Sequence, residues 1–540
     1  MKINKNELEN KAQWAKAGVV IPKFDRRTIE SETKKSPAWL HLGAGNIFRA
    51  FLAMKQQKLL DEGIETTGII VAEGYDYEII DAVFSSRDNL TLAVTLKADG
   101  SIEKHIVGSM VEALKLDPSH ADFDRLKEVF RSPTLQMVSF TITEKGYGLR
   151  SGADLLPDVA RDIDKGPSAA TSYMGKVAAL LYERFKAGGA PLAMVSMDNC
   201  SHNGDRLYSA IHEITGNWVA KGLADREFAV YIESPDRVSF PWSMIDKITP
   251  RPDDSVKTML LDAGIDDVEA IVTAKNTYVA PFVNAEEAEY LVIEDAFPNG
   301  RPKLERTGVI FTDRETVDKV EKMKVCTCLN PLHTALAVFG CLLGFTKISE
   351  EMRDDDLRRL VEIIGYDEGL PVVVDPGIVK PRDFIDEVLR VRFPNPFMPD
   401  TPQRIACDTS QKLSIRFGET IKAYLASPAL DVKSLRLIPL VLAGWCRYLL
   451  GVDDEGKGFE ISPDPNAERV RKRLAGLQPG DKGPFEDILR PIFSDARIYA
   501  VDLYEAGLGD AAERAFSELM EGPGAVRRTL HRYVDGRQIC

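Results

Sequence analysis

The 540-residue chain reads as an α/β domain with a mostly parallel sheet, followed by an all-α domain. Two observations carry that reading. From about residue 38 to 300, short runs rich in Val, Ile and Thr alternate with amphipathic stretches, the pattern of a parallel sheet with helices on both faces. Beyond about residue 313 the apolar residues recur almost throughout at the 3.6-residue spacing of helices. The turn cluster Phe297-Pro298-Asn299-Gly300-Arg301-Pro302 interrupts the first pattern. The expected domains are therefore 1–312 and 313–540. The length suits two or three units, since a domain holds roughly 150 residues.

In the first region the expected strands are 39–42, 68–72, 137–142, 192–196 and 228–232, with helices over 48–62 and 172–186. In the second, helices are expected over 332–343, 357–364, 384–391, 435–450 and 511–520. No repeat of 20–50 residues is visible.

Composition excludes several function classes. Hydrophobic residues make up 44% and charged residues 28%, which is globular rather than disordered. Lys and Arg number 69 against 83 Asp and Glu, a net charge of −14, so no basic face for nucleic-acid phosphates is expected. The mean hydropathy is −0.17 and no long apolar run occurs, so no membrane helix is expected. The N-terminal stretch is charged and lacks a signal-peptide core. These features predict a soluble cytoplasmic protein. Seven scattered cysteines (Cys200, Cys326, Cys328, Cys341, Cys407, Cys446 and Cys540) make no disulfide framework. The pair Cys326 and Cys328 has no second knuckle to complete a zinc site, so no metal is expected.

The first expected strand runs into Gly43-Ala44-Gly45-Asn46-Ile47-Phe48-Arg49. Glycines there allow a tight turn and close approach of the backbone to a pyrophosphate, which rests on the following helix N-terminus. The third glycine of that fingerprint is absent, with Phe48 in its place. A plain strand-to-helix turn fits the same residues. The second strand ends at Glu73, an acid able to accept hydrogen bonds from an adenosine ribose, or equally to stand as a solvated loop acid. Three acids and no base between Glu73 and Glu78 favour NAD over NADP, because they repel a 2′-phosphate. With this motif, the α/β domain reads as Rossmann-like.

The helical half opens with Lys322-Met323-Lys324-Val325-Cys326-Thr327-Cys328-Leu329-Asn330-Pro331-Leu332-His333. Asn330 reads as a helix N-cap with Pro331 at the first helical position, and His333 falls in the first turn. The partial positive charge of a helix N-terminus suits a developing alkoxide. A buried lysine with lowered pKa can act as general base toward an alcohol. Taken singly, the same residues also serve as a cap, a packed histidine and surface lysines.

The Lys…Asn-x-x-His segment resembles the catalytic signature of the polyol-specific long-chain dehydrogenases. Further segments match in order: His41 through Arg49, Thr141 through Tyr147, Asp198-Asn199 with Asn203-Gly204, Ser239-Phe240-Pro241 through Pro250, and Phe297 through Pro302. The resemblance covers about residues 38–420. It implies zinc-independent hydride transfer between NAD and a secondary alcohol, with a small-molecule sugar acid or polyol as partner. The sequence leaves the oligomeric state open, a monomer included. By the same resemblance Lys324 is the general base, Asn330 and Asn199 hydrogen-bond the oxyanion, and His333 orients the substrate oxygen. Asp246, Arg404 and Lys412 bind substrate, and Gly43, Gly45, Asn46, Ile47, Phe48, Arg49 and Glu73 bind the cofactor.

Two departures stand out. Five residues separate Lys324 from Asn330, where the family has four, so a bulge or loop must absorb one, and Lys322 is the competing base. Ile245 and Lys247 replace the usual Val and Arg. A catalytically silent NAD-binding redox sensor is the rival reading, supported by the extra residue.

Overall fold

The computed structural model describes residues 1–252 and 254–535. The chain divides into two compact units, one of Met1–Lys97 and Ser101–Asp318, the other of Lys319–Cys540 with Ala98–Gly100. Cys540 lies outside the described residues; the six described cysteines are free thiols.

The first unit is organised by six strands: β1 (Trp39–Leu42), β2 (Ile69–Glu73), β3 (Met110–Lys115), β4 (Met137–Phe140), β5 (Leu192–Ser196) and β6 (Val238–Ser239). They lie in the order β6-β5-β4-β1-β2-β3, with every neighbouring pair parallel. This is the doubly wound order, whose direction reverses between β1 and β4 and opens a crevice there at the carboxyl ends. Successive residues of each strand bury in opposite layers. Leu40, Leu42, Ile70, Ala72, Val138 and Phe140 face one core, while Trp39, Ile69, Val71 and Met137 face the other. Burial of both faces explains why these strands read as continuous apolar runs.

Smaller sheets flank the core. Ser243–Asp246 pairs antiparallel with Tyr290–Glu294, which pairs parallel with Ile310–Thr312. Residues 228–232, expected as a strand, lie in the helix Arg226–Glu233. Phe228, Tyr231 and Ile232 are buried at helical spacing, while Val230 stands 61% exposed. A five-residue apolar run fits either period, and packing on one face decided for the helix. The sixth strand is instead the short Val238–Ser239.

Among its described residues the second unit is helical apart from one isolated bridge between Val452 and Gly458. Four of its helical segments contain π turns: Lys324–Cys328, Ile363–Gly369, Val388–Arg392 and Ser414–Gly418. Helix α1 (Asn330–Leu342) packs on α2 (Leu437–Tyr448), which packs in turn on α3 (Gly509–Leu519). The N-terminus of α2 is capped from afar. The buried Glu368 carboxylate accepts from the backbone N–H groups of Arg436, Leu437 and Ile438 at 2.7, 2.7 and 2.9 Å.

The sequence carries no apolar run that points to a membrane span, yet the 29-residue helical segment Arg314–Leu342 is long and apolar enough to cross one. Its most apolar window is 78% buried inside the protein, the placement of a core helix.

Candidate active site

In the first unit a cavity of about 530 Å³ opens at the strand-order reversal, lined by Gly43, Gly45, Glu73, Tyr75, Thr141, Thr143 and Tyr173 among others. Gly43 has φ +110° and sits so close to β4 that a Cβ would lie 2.3 Å from the Thr141 carbonyl oxygen. No side chain fits there. A Cβ on Gly45 would meet nothing within 4 Å, so this glycine leaves open space beside the cavity. That space is what a pyrophosphate lying against the backbone requires.

Glu73 ends β2 and is buried. Its carboxylate accepts from the backbone N–H of Ala44 at 2.9 Å, of Tyr75 at 2.7 Å and of Asp76 at 3.2 Å. It therefore ties the glycine turn to the loop after β2, and a carboxylate retains capacity for a further donor such as a ribose hydroxyl. Although that loop carries only acids, two lysines from elsewhere join it. Lys176 is buried, with its pKa lowered to about 8 by desolvation, and donates to the Gly74 carbonyl and the Tyr77 hydroxyl. Lys275 donates to the Tyr75 carbonyl and lies over its ring.

The loop after β4 is held under strain. Thr143 adopts φ +65°, costly for a β-branched residue. Asp198, just past β5, secures it: its carboxylate accepts from the N–H of Ile142 at 2.9 Å, from that of Thr143 at 2.8 Å, and from the Tyr147 hydroxyl.

Phe48 and Arg49 do not line this cavity. Phe48 begins a π turn, is fully buried, and stacks on His41 with ring centroids 4.1 Å apart. Burial pushes the His41 pKa down to about 3, so the stacked imidazole is neutral. Arg49 is equally buried and donates to the Ala280 carbonyl, Thr91 and the Asn46 side chain. Both residues brace the turn from behind. Asn46 and Ile47 are half-buried. Asn199 is exposed beyond the end of β5, and Asp246 is buried at the end of its strand.

In the second unit, Lys324 is 4% exposed and opens the π turn, while Lys322 is exposed. The Leu329 N–H donates to the Lys324 carbonyl at 3.1 Å, the i to i+5 bond that defines such a turn. A π turn holds one residue more than an α turn. The fifth intervening residue is thus taken up within the helix itself, and Lys324 is the buried lysine of the two.

Asn330 is not the N-cap expected of it. Leu329 occupies that position, Asn330 is the first helical residue, and no side-chain capping bond forms. Continuation from the π turn satisfies part of what a cap would, since the Leu329 N–H at the cap position donates to the Lys324 carbonyl. The Asn330 amide is therefore not consumed by capping. Its backbone carbonyl accepts from Thr334 at 3.0 Å, and Arg416 donates to Thr334 at 2.5 Å.

His333 lies one turn on. Its ring packs at 4.9 Å against Phe393, and Nε2 stands 3.7 Å from an Asp400 carboxylate oxygen. That nitrogen is buried without a hydrogen-bond partner among the described residues. Burial lowers its pKa to about 4, against the pull of Asp400 and aided by Arg416, Arg392 and Arg404. The imidazole is neutral at pH 7 in surroundings rich in guanidinium. Arg404 pairs with Asp400, and its side chain is 60% exposed. Lys412 donates to the carbonyls of Ile405 and Cys407, which turns its ammonium toward backbone. Sequence reasoning missed Arg392 and Arg416. Arg416 lies four residues after Lys412, a spacing that could have pointed to it. Among the described residues no group of three or more His, Cys, Asp or Glu side chains is placed to hold a metal ion.

Comparison with known proteins bears on both units. A model of the mannitol dehydrogenase Rossmann domain matches residues 37–306, and one of the mannitol dehydrogenase C-terminal domain matches 316–488. The chain is 54% identical over 541 residues to the D-mannonate oxidoreductase of Thermotoga maritima, with 100% of each chain covered. It is 30% identical over 550 residues to the mannitol 2-dehydrogenase of Neosartorya fischeri, covering 99% of each. Among solved structures it is similar to Pseudomonas fluorescens mannitol 2-dehydrogenase in ternary complex with NAD and D-mannitol. The TM-score is 0.69 at 26% identity, covering 99% of this chain and 100% of the other. A substrate-free D-sorbitol dehydrogenase superposes with a TM-score of 0.81 at 26% identity, covering 98% and 100%.

Proposed function

Because the chain belongs to the mannitol dehydrogenase family, we propose that it interconverts D-fructuronate and D-mannonate with NAD as hydride carrier, Lys324 as general base and no metal. The observation that carries this reading is the 54% identity, end to end, with a D-mannonate oxidoreductase. It also displaces the catalytically silent alternative, whose support was the residue now accommodated in the π turn. Tagaturonate reductase and mannitol 2-dehydrogenase activities are the competing assignments within the family.

The first unit's cavity fits a dinucleotide: Gly45 leaves room for a pyrophosphate, and Glu73 stands where a ribose hydroxyl would donate. Bound there, NAD supplies the hydride acceptor for alcohol oxidation. The remaining chemistry falls to side chains. The Lys324 amine takes the hydroxyl proton of D-mannonate, and in reduction its ammonium returns it. Burial keeps that side chain from bulk water. The Asn330 amide, free of capping, donates to the developing oxyanion, and Asn199 is assigned as a second donor. A donor of this kind is worth about 2.7–4 kcal/mol in comparable sites. Neutral His333 orients the substrate oxygen through Nε2, which has no hydrogen-bond partner among the described residues. Asp246 is assigned to substrate hydroxyls.

The guanidinium groups around His333 favour a sugar acid over a neutral polyol. Arg416 is buried enough for its pKa to fall to about 10, and a carboxylate relieves the cost of such a cation. Arg404 and Lys412 remain assigned to substrate binding on the family resemblance.

The test is NADH oxidation by the purified protein with D-fructuronate, D-tagaturonate and D-fructose. Preference for D-fructuronate supports the assignment, whereas preference for either other sugar moves the protein to another branch of the family.

A further inference from the structure

The cavity in the first unit contains a residue that neither the glycine motif nor the acid at the end of β2 would reveal. Tyr173 is the first residue of the 14-residue helix Tyr173–Lys186 and lines the cavity together with Gly43, Gly45, Glu73 and Thr141. Its ring is wedged against the loop after β2, so that a Cβ on Gly74 would lie 2.4 Å from Cε2. Its position is thereby fixed by backbone. Its hydroxyl is buried and has no hydrogen-bond partner among the described residues. An unmet buried hydroxyl costs about 1–3 kcal/mol, and this one belongs to a residue that lines a ligand cavity. Burial, with smaller contributions from Glu73 and Asp198, holds the phenol well above its ordinary range, so the group is a standing O–H donor.

We propose that Tyr173 recognises the adenosine part of the dinucleotide, its hydroxyl donating to a nitrogen or oxygen acceptor there. Glu73 takes donors and Tyr173 supplies one, so the two residues read opposite polarities on the same end of the cofactor. The cavity's apolar lining by Ile79, Ile142, Leu149, Leu156 and Val159 suits a base stacked between loops. The proposal rests on the NAD reading above.

The experiment measures binding of NADH, ADP-ribose and reduced nicotinamide mononucleotide to the wild-type protein and to Tyr173→Phe. The phenylalanine keeps the ring against Gly74, and circular dichroism and melting temperature verify the fold. NADH and ADP-ribose are expected to bind about three- to tenfold more weakly to the variant, the factor that one ordinary hydrogen bond carries. The mononucleotide, which lacks adenosine, is expected to bind both proteins alike. Equal NADH and ADP-ribose affinities for the two proteins overturn the proposal and leave the NAD reading intact. A loss shared equally by the mononucleotide also overturns it, because the effect is then not at the adenosine end. Failure of the wild-type protein to bind NADH at all overturns the NAD reading itself.

Discussion

The two units build their sites by opposite means. In the first, the proposed cofactor site is framed by backbone, a glycine turn, strand ends and a loop held at φ +65°, with Glu73 and Tyr173 as its side-chain contacts and Arg49 and Asp198 bracing from behind. In the second, the proposed reacting groups Lys324, Asn330 and His333 are side chains of one helical segment that includes a π turn. The contrast teaches that where backbone approaches a ligand the decisive change is an added Cβ, and where a side chain acts it is the loss of the functional group.

The largest effect should fall on the side-chain site. Lys324→Ala is expected to lower kcat about 10²- to 10⁴-fold, the range for loss of a general acid–base group, while exposed Lys322→Ala leaves kcat within about twofold. Steady-state rates of both variants measure this; equal losses would erase the distinction between the lysines. Asn330→Ala comes next, with a fall of about 10²- to 10³-fold in kcat. Its melting temperature should barely move, because no capping bond is lost. A marked drop in stability would instead make Asn330 structural.

The backbone site predicts a different pattern. Gly43→Ala should destabilise the first unit by more than about 1 kcal/mol, since both its φ and its contact with Thr141 forbid a side chain. Gly45→Ala should melt like the wild type and weaken NADH binding. Thermal melts and NADH titrations on the pair separate the two outcomes, and identical behaviour would contradict the division of labour between the glycines.

The smallest effect concerns pH. Glu351 is fully buried beneath Gly340, both its oxygens lack hydrogen-bond partners among the described residues, and burial holds it well above the carboxylate range. The folded protein therefore keeps this proton while the unfolded chain loses it above about pH 4.5, so stability falls as pH rises from there toward the folded value. Glu351→Gln cannot lose a proton and should flatten that slope in urea melts taken between pH 5 and 9. His333 acts at the other end. Its lowered pKa means the unfolded chain binds the extra proton first, so its contribution is lost as pH falls from about 6.5 to about 4.

Much of the backbone site was legible in the sequence, because glycines and strand ends have fixed local meanings. The turn at Gly43 and Gly45 and the acid at Glu73 were readable for that reason. The short run at 228–232 was not, since five apolar residues do not distinguish the two periods. The Asn-Pro pair pointed to a cap at Asn330. A π turn has no sequence signal of its own, and it moved the helix start by one residue. Tyr173 reads as an ordinary core aromatic, and Arg392 and Arg416 as ordinary surface charges. Only the fold shows a hydroxyl without a partner and guanidiniums gathered around a histidine.

The most direct test of the account is NADH oxidation with D-fructuronate by the wild-type protein and by Lys324→Ala, with NADH binding titrated in the same preparations. Rapid turnover is expected of the wild type, and loss of turnover with NADH binding retained is expected of the variant. Full turnover by Lys324→Ala would contradict that expectation.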